Sequence, residues 1–141
     1  MIARILLGLI FFVFGLNGFL QFIQPPGEPP EALKAFMTGM MATGYFIPFL
    51  KGTETLMGAL LLANRFVPLA LTVLAPIIVN IFLIHAILEP SGLVMAAVIV
   101  LLEIFLAWSY RGHFAGVLVA KAKVTSAEVL GDGVARPVPE S

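Results

Sequence analysis

Cysteine is absent from this 141-residue chain. That absence excludes disulfides, thiolate metal sites, iron–sulfur ligation and dithiol relays of the CxxC kind. Charge is scarce as well: 11% of residues are Asp, Glu, Lys or Arg, and eight basic side chains balance eight acidic ones. A formal net charge of zero leaves no electrostatic basis for binding nucleic acid. There are two histidines, His85 and His113, and they are expected at opposite surfaces, which excludes a bis-histidine haem site. No internal repeat or low-complexity tract is present, and no covalent or metal cofactor is expected.

What the chain has in excess is apolar surface. Sixty per cent of it is hydrophobic, far above a soluble domain. The excess is gathered into four runs, residues 2–23, 46–63, 67–88 and 93–110. Each is close to the ~20 residues that a helix rising ~1.5 Å per residue needs to cross a ~30 Å hydrocarbon layer. Backbone amides have no water to bond in lipid, so such runs must be helical. The expected fold is all-α: an integral membrane four-helix bundle running up-down-up-down. The first run is longer than a secretory h-region and lacks a small-x-small cleavage site, so it is read as a retained helix. Residues 1–112 are expected to form the membrane domain. Residues 113–141 form a cytoplasmic tail, amphipathic over 114–123 and flexible over 126–141.

Short loops hold the orientation signal. With the N-terminus inside, Arg4, Arg65, Arg111, Lys121 and Lys123 share the cytoplasmic side, and Lys34 and Lys51 lie opposite. Both termini are therefore predicted to be cytoplasmic. The first outer loop opens with Gln24-Pro25-Pro26-Gly27-Glu28-Pro29-Pro30, where proline removes amide donors and forbids a helix. Residues 31–43 are free of proline and suit a short interfacial helix, with Glu31 on its positive end. Asn64 is a helix stop, Pro68 suits the first turn of the next helix, and Pro76 predicts a kink inside it. Gly8, Gly15 and Gly18 fall near one face of the first helix, where a neighbouring backbone can approach closely.

Polar groups at membrane depth are costly, and a functional or structural partner is expected for each. Asn17, Gln21 and Gln24 follow i, i+4, i+7 spacing on the first helix. Lys51 and Glu54, three apart, either pair at the outer interface with Lys51 snorkelling, or leave Glu54 facing inward as a proton donor or acceptor. His85 is the only histidine in a run; it is either an interfacial hydrogen-bonder or a proton-exchanging group. Asn80 is either interhelical glue or a ligand contact. On an ideal helix Asn80 and His85 are ~140° apart and do not share a face. Glu103 lies toward the inner half, and a structural ion pair with Arg4 is expected for it. Apart from Glu103, these groups gather in the outer half of the bundle.

Several stretches together resemble one family. Ala3-Arg4-Ile5-Leu6-Leu7-Gly8-Leu9-Ile10-Phe11 leading to Gly15-Leu16-Asn17-Gly18, then the proline-rich loop, Ala42-Thr43-Gly44-Tyr45 and Leu50-Lys51-Gly52-Thr53-Glu54, are similar to the DoxX family of small bacterial membrane proteins. Asn64-Arg65-Phe66-Val67-Pro68 and Ala75-Pro76 through His85 extend the likeness, which covers residues 3–112. The resemblance implies a four-helix protein of the bacterial inner membrane. It also implies an accessory or membrane subunit of a quinone-linked redox or oxidative-stress system, with an oxidoreductase subunit as partner. The family carries no agreed catalytic motif. No catalytic residue is assigned, and Glu54, Asn80, His85 and Asn17 stand as ligand-binding candidates on physical grounds, with a quinone as the candidate ligand. The competing expectations are a small proton-coupled carrier, for which a homo-oligomer would be needed, and a purely structural membrane protein.

Overall fold

The computed structural model describes residues 1–21 and 27–124; Gln24, two prolines of the loop and the tail segment 126–141 lie outside the described residues. The described chain is all-helical. Helix α1 spans Ile2–Leu20, α2 Glu31–Ala42, α3 Phe46–Leu62, α4 Val67–Leu83 and α5 Leu93–Ser109. Single turns join or extend them: a π turn over Ile84–Leu88 continues α4, and 3-10 turns over Pro90–Gly92 and Arg111–Phe114 flank α5.

Among the described residues three helical stretches are long and apolar enough to cross a membrane: Ile2–Leu20, Val67–Leu88 and Pro90–Ser109. Helix α3 falls short of that standard. It has 17 residues and carries Lys51 and Glu54 within them. The exterior as well as the core is apolar, unlike that of a water-soluble protein. Glu54 is 3% exposed, whereas Val94 is 80% and Ile87 70% exposed. An apolar exterior around buried carboxyl groups is stable against hydrocarbon, not against water. The protein is a membrane protein.

Helix α1 packs chiefly on α3, α4 packs on α5 and α3, and α5 closes back on α1. Glycine makes the α1–α3 contact possible. A Cβ on Gly15 would collide with Thr55, one on Gly18 with the Lys51 stem, and one on Gly58 with the backbone of Phe12 and, at 2.9 Å, the Gly8 carbonyl oxygen. The three glycines of α1 thus meet α3 along one line. Around this seam the core gathers Leu7 and Phe11 of α1, Met57 and Leu61 of α3, Leu71, Leu74 and Ile78 of α4, and Ile99 and Leu106 of α5.

The ends of α3 and α4 are set locally. Asn64 takes a left-handed conformation at φ 55°. Its N–H donates to the Leu61 carbonyl at 3.2 Å, and the Arg65 N–H donates to the Leu60 carbonyl at 3.0 Å. This is a Schellman stop, with Asn where glycine is commonest. Pro68 then sits in the first turn of α4, where its missing donor costs nothing. Pro76 lies within α4 without ending it. The helix leaves α geometry later, at Ile84, where the Glu89 N–H reaches the Ile84 carbonyl at 3.0 Å in an i→i+5 bond. After α5, residues 115–124 run in turns and extended chain; no helix covers the stretch expected to be amphipathic.

Gly58→Ala should lower the unfolding free energy in detergent by about 1–3 kcal/mol, because two backbones must separate. Gly39→Ala, at a helical position with open space around it, should be neutral or stabilise by up to about 1 kcal/mol. Thermal unfolding followed by circular dichroism distinguishes the two; equal effects would contradict the close α1–α3 seam.

Candidate functional site

Four of the polar residues singled out in the sequence border one cavity. Glu54 of α3, Asn80 of α4 and His85 of the π turn line a volume of about 710 Å³, together with Lys51. The volume is in the range of ligand sites, ~300–1,000 Å³. The walls are apolar: Phe11 and Phe14 of α1, Ile77 and Ile81 of α4, Met95 and Ile99 of α5. One side is closed by α2 through Leu33, Phe36, Met37 and Met40. Those four positions have helical spacing and form one apolar stripe. The stripe was the available signal in the sequence, and it places α2 over the cavity.

Lys51, Glu54 and His85 are each held by a neighbour. Lys51 Nζ donates to Glu54 Oε2 at 3.0 Å, one turn along α3. The lysine stem runs over Gly18, so α1 fixes its direction. Its ammonium retains protons beyond the one given to Glu54. Glu54 is almost wholly buried, and Lys51 is its counter-charge. His85 Nδ1 lies 3.2 Å from the Glu89 carbonyl oxygen and 3.7 Å from Glu89 Oε2. A carbonyl only accepts, so a neutral imidazole carries its proton on Nδ1 and leaves the Nε2 lone pair free. The ring rests on Gly92, where any Cβ would overlap it. Asn80 and His85 reach the same cavity although five residues separate them. Ile77, Asn80, Ile81, Ile84 and His85 follow helical spacing as one broad stripe, with Asn80 and His85 at its two edges.

The other candidates are elsewhere. Asn17 is on α1 outside this lining, and its carbonyl accepts the Gln21 N–H at 2.8 Å. The expected Arg4–Glu103 ion pair is not formed. The Arg4 guanidinium donates instead to the Leu61 carbonyl, and at 3.4 Å to that of Leu62. These carbonyls lie at the negative end of the α3 dipole, a favourable seat for a cation, and that of Leu61 accepts the Asn64 N–H as well. Glu103 lies along a second cavity, at the opposite end of the bundle from the first.

Among the described residues no group of three His, Asp or Glu side chains is placed to hold a metal ion. What the first cavity offers is two donors, Lys51 and Asn80, and an imidazole, within apolar walls. That set suits a flat apolar molecule bearing carbonyl oxygens. No family model, curated protein or solved structure matches the chain.

The Lys51–Glu54 pair gives a test of the electrostatics. Lys51→Met should destabilise by about 1–3 kcal/mol by leaving Glu54 without its donor. The double variant Lys51→Met/Glu54→Gln should recover most of that loss. A double-mutant cycle in detergent measures the coupling; strict additivity would mean the pair contributes nothing.

Proposed function

We propose that this chain is a DoxX-like protein of the bacterial inner membrane, an accessory or membrane subunit of a quinone-linked redox or oxidative-stress system. On this reading it binds a quinone in the cavity bordered by Glu54, Asn80 and His85. The observation that carries the reading is the convergence of these three groups, with Lys51, on one apolar cavity of about 710 Å³. Lys51 and Asn80 are placed to donate to carbonyl oxygens, Glu54 holds Lys51 in place, and His85 Nε2 is placed to exchange a proton with the ligand or with its surroundings. Phe11 and Phe14 offer ring faces to an aromatic or quinonoid body.

The proposed topology counts α3 as a fourth span beside the three long apolar helices. At 17 residues it is ~25 Å long, and the Lys51 ammonium can extend its reach to the headgroups. Helix α2 then lies at the outer interface over the mouth of the cavity. Basic residues assign the sides: Arg4, Arg65 and Arg111 inside, Lys34 outside. The proposed partner is an oxidoreductase subunit, and self-association within the bilayer is compatible with the exposed apolar faces.

Glu54→Gln and His85→Ala should each weaken binding of a short-chain ubiquinone analogue to the purified full chain by about tenfold, equivalent to ~1.4 kcal/mol. Circular dichroism and elution volume should be unchanged. Binding by both folded variants at parental affinity would count against the cavity as a quinone site.

A further inference from the structure

The second cavity, of about 520 Å³, lies at the opposite end of the bundle from the first. Its walls come from Leu71, Thr72 and Ala75 in the first half of α4, Glu103, Ile104 and Trp108 in the second half of α5, and Phe114 in the turn beyond. Glu103 borders it and is only 9% exposed. No protein group donates to its buried Oε2. This is where the two buried carboxyl groups differ. Glu54 has Lys51, whereas neither that ion pair nor the His85–Glu89 contact, the two seen among the described residues, involves Glu103.

The cations nearest in sequence or by expectation are committed elsewhere. Arg4 is bonded to the end of α3. Arg111, the other charged residue of this cavity, donates to the Trp108 carbonyl at 2.9 Å and lies over the Trp108 ring at 4.8 Å from its centre. It is eight residues beyond Glu103, about 12 Å along a helix. The Thr72 hydroxyl donates to the Pro68 carbonyl at 2.8 Å. Within the apolar part of the cavity Glu103 is therefore a carboxyl group without a partner in the protein, and an incoming cation would favour its charged form.

We propose that this cavity is a binding site for a lipophilic organic cation, with Glu103 as counter-charge and the aromatic rings of Trp108 and Phe114 as walls. Charge complementarity selects the sign of the ligand. The apolar walls select its body: a small hydrated ion would surrender its water against Leu71, Ala75 and Ile104, whereas an onium or amine with spread charge and apolar substituents surrenders little. Arg111 already rests a cation on the Trp108 ring, so the ring is available to positive charge. Because Arg111 also places like charge at the rim, its removal should favour an incoming cation. The proposal is independent of the quinone reading, which concerns the other cavity.

The chain contains one tryptophan, so fluorescence reports on this cavity directly. The full chain in detergent micelles is titrated with tetraphenylphosphonium while Trp108 emission is followed. A saturable change is expected, weakened at least tenfold in Glu103→Gln, retained in part in Glu103→Asp and strengthened in Arg111→Gln. Ala107 also lines the cavity, and Ala107→Leu, which narrows it there, should weaken the change without altering Glu103 and serves if Glu103→Gln does not fold. Absence of a saturable response in the parent overturns the proposal. So does a Glu103→Gln affinity within twofold of the parent, or a loss seen in Glu54→Gln instead.

Discussion

The contact on which the rest of the structure depends is the seam between α1 and α3. Gly15 lies against Thr55, Gly18 against the Lys51 stem, and Gly58 against the Phe12 backbone. In lipid no hydrophobic effect drives helices together, and close backbone packing takes over that role. The seam fixes more than stability. By pressing Lys51 onto Gly18 it directs the ammonium toward Glu54 one turn away, which makes a buried carboxylate tolerable at that position. The same close approach sets Phe11 and Phe14 of α1 beside α3, and there α2, α4 and α5 complete the first cavity.

The two ends of the bundle handle buried charge in opposite ways. At one end Glu54 is neutralised by a lysine on its own helix, and the surrounding donors remain available to a ligand. At the other end Arg4, the basic group expected to neutralise Glu103, is taken by the last carbonyls of α3. Helix ends present several acceptors with a coherent dipole, and a guanidinium with a planar fork of donors suits them well. Glu103 is left with an unpartnered oxygen beside a cavity.

Much of this was legible in the sequence. Apolar runs identified a helical membrane protein, Asn64 and Pro68 marked the turn between α3 and α4, and the glycines of α1 indicated its packing face. Lys51–Glu54 followed from i, i+3 spacing. What escaped is non-local or geometric. The π turn at Ile84–Leu88 has no composition signature, and that Asn80 and His85 border one cavity depends on how far the cavity spreads around α4. The Arg4 contact depends on where α3 ends relative to α1, which no spacing rule along one chain contains. Helix α2 was expected at an interface, but its stripe of Leu33, Phe36, Met37 and Met40 could be read as lipid-facing until the fold placed it on the cavity. Helix α3 is also shorter than the apolar run that suggested it: the run counts Ala63, while the helix stops at Leu62.

The central claim is that the cavity beside the α1–α3 seam is a ligand site. Photolabelling tests it most directly: an azido-quinone bound to the full chain in lipid nanodiscs is activated, and the modified residues are mapped by mass spectrometry. The account predicts labelling on the cavity-facing positions of α2, α3 and α4, such as Met37, Leu50 and Ile81, suppressed by excess unlabelled quinone. Labelling spread over outward-facing residues such as Val79, Val94 and Leu101, and insensitive to competitor, would contradict it.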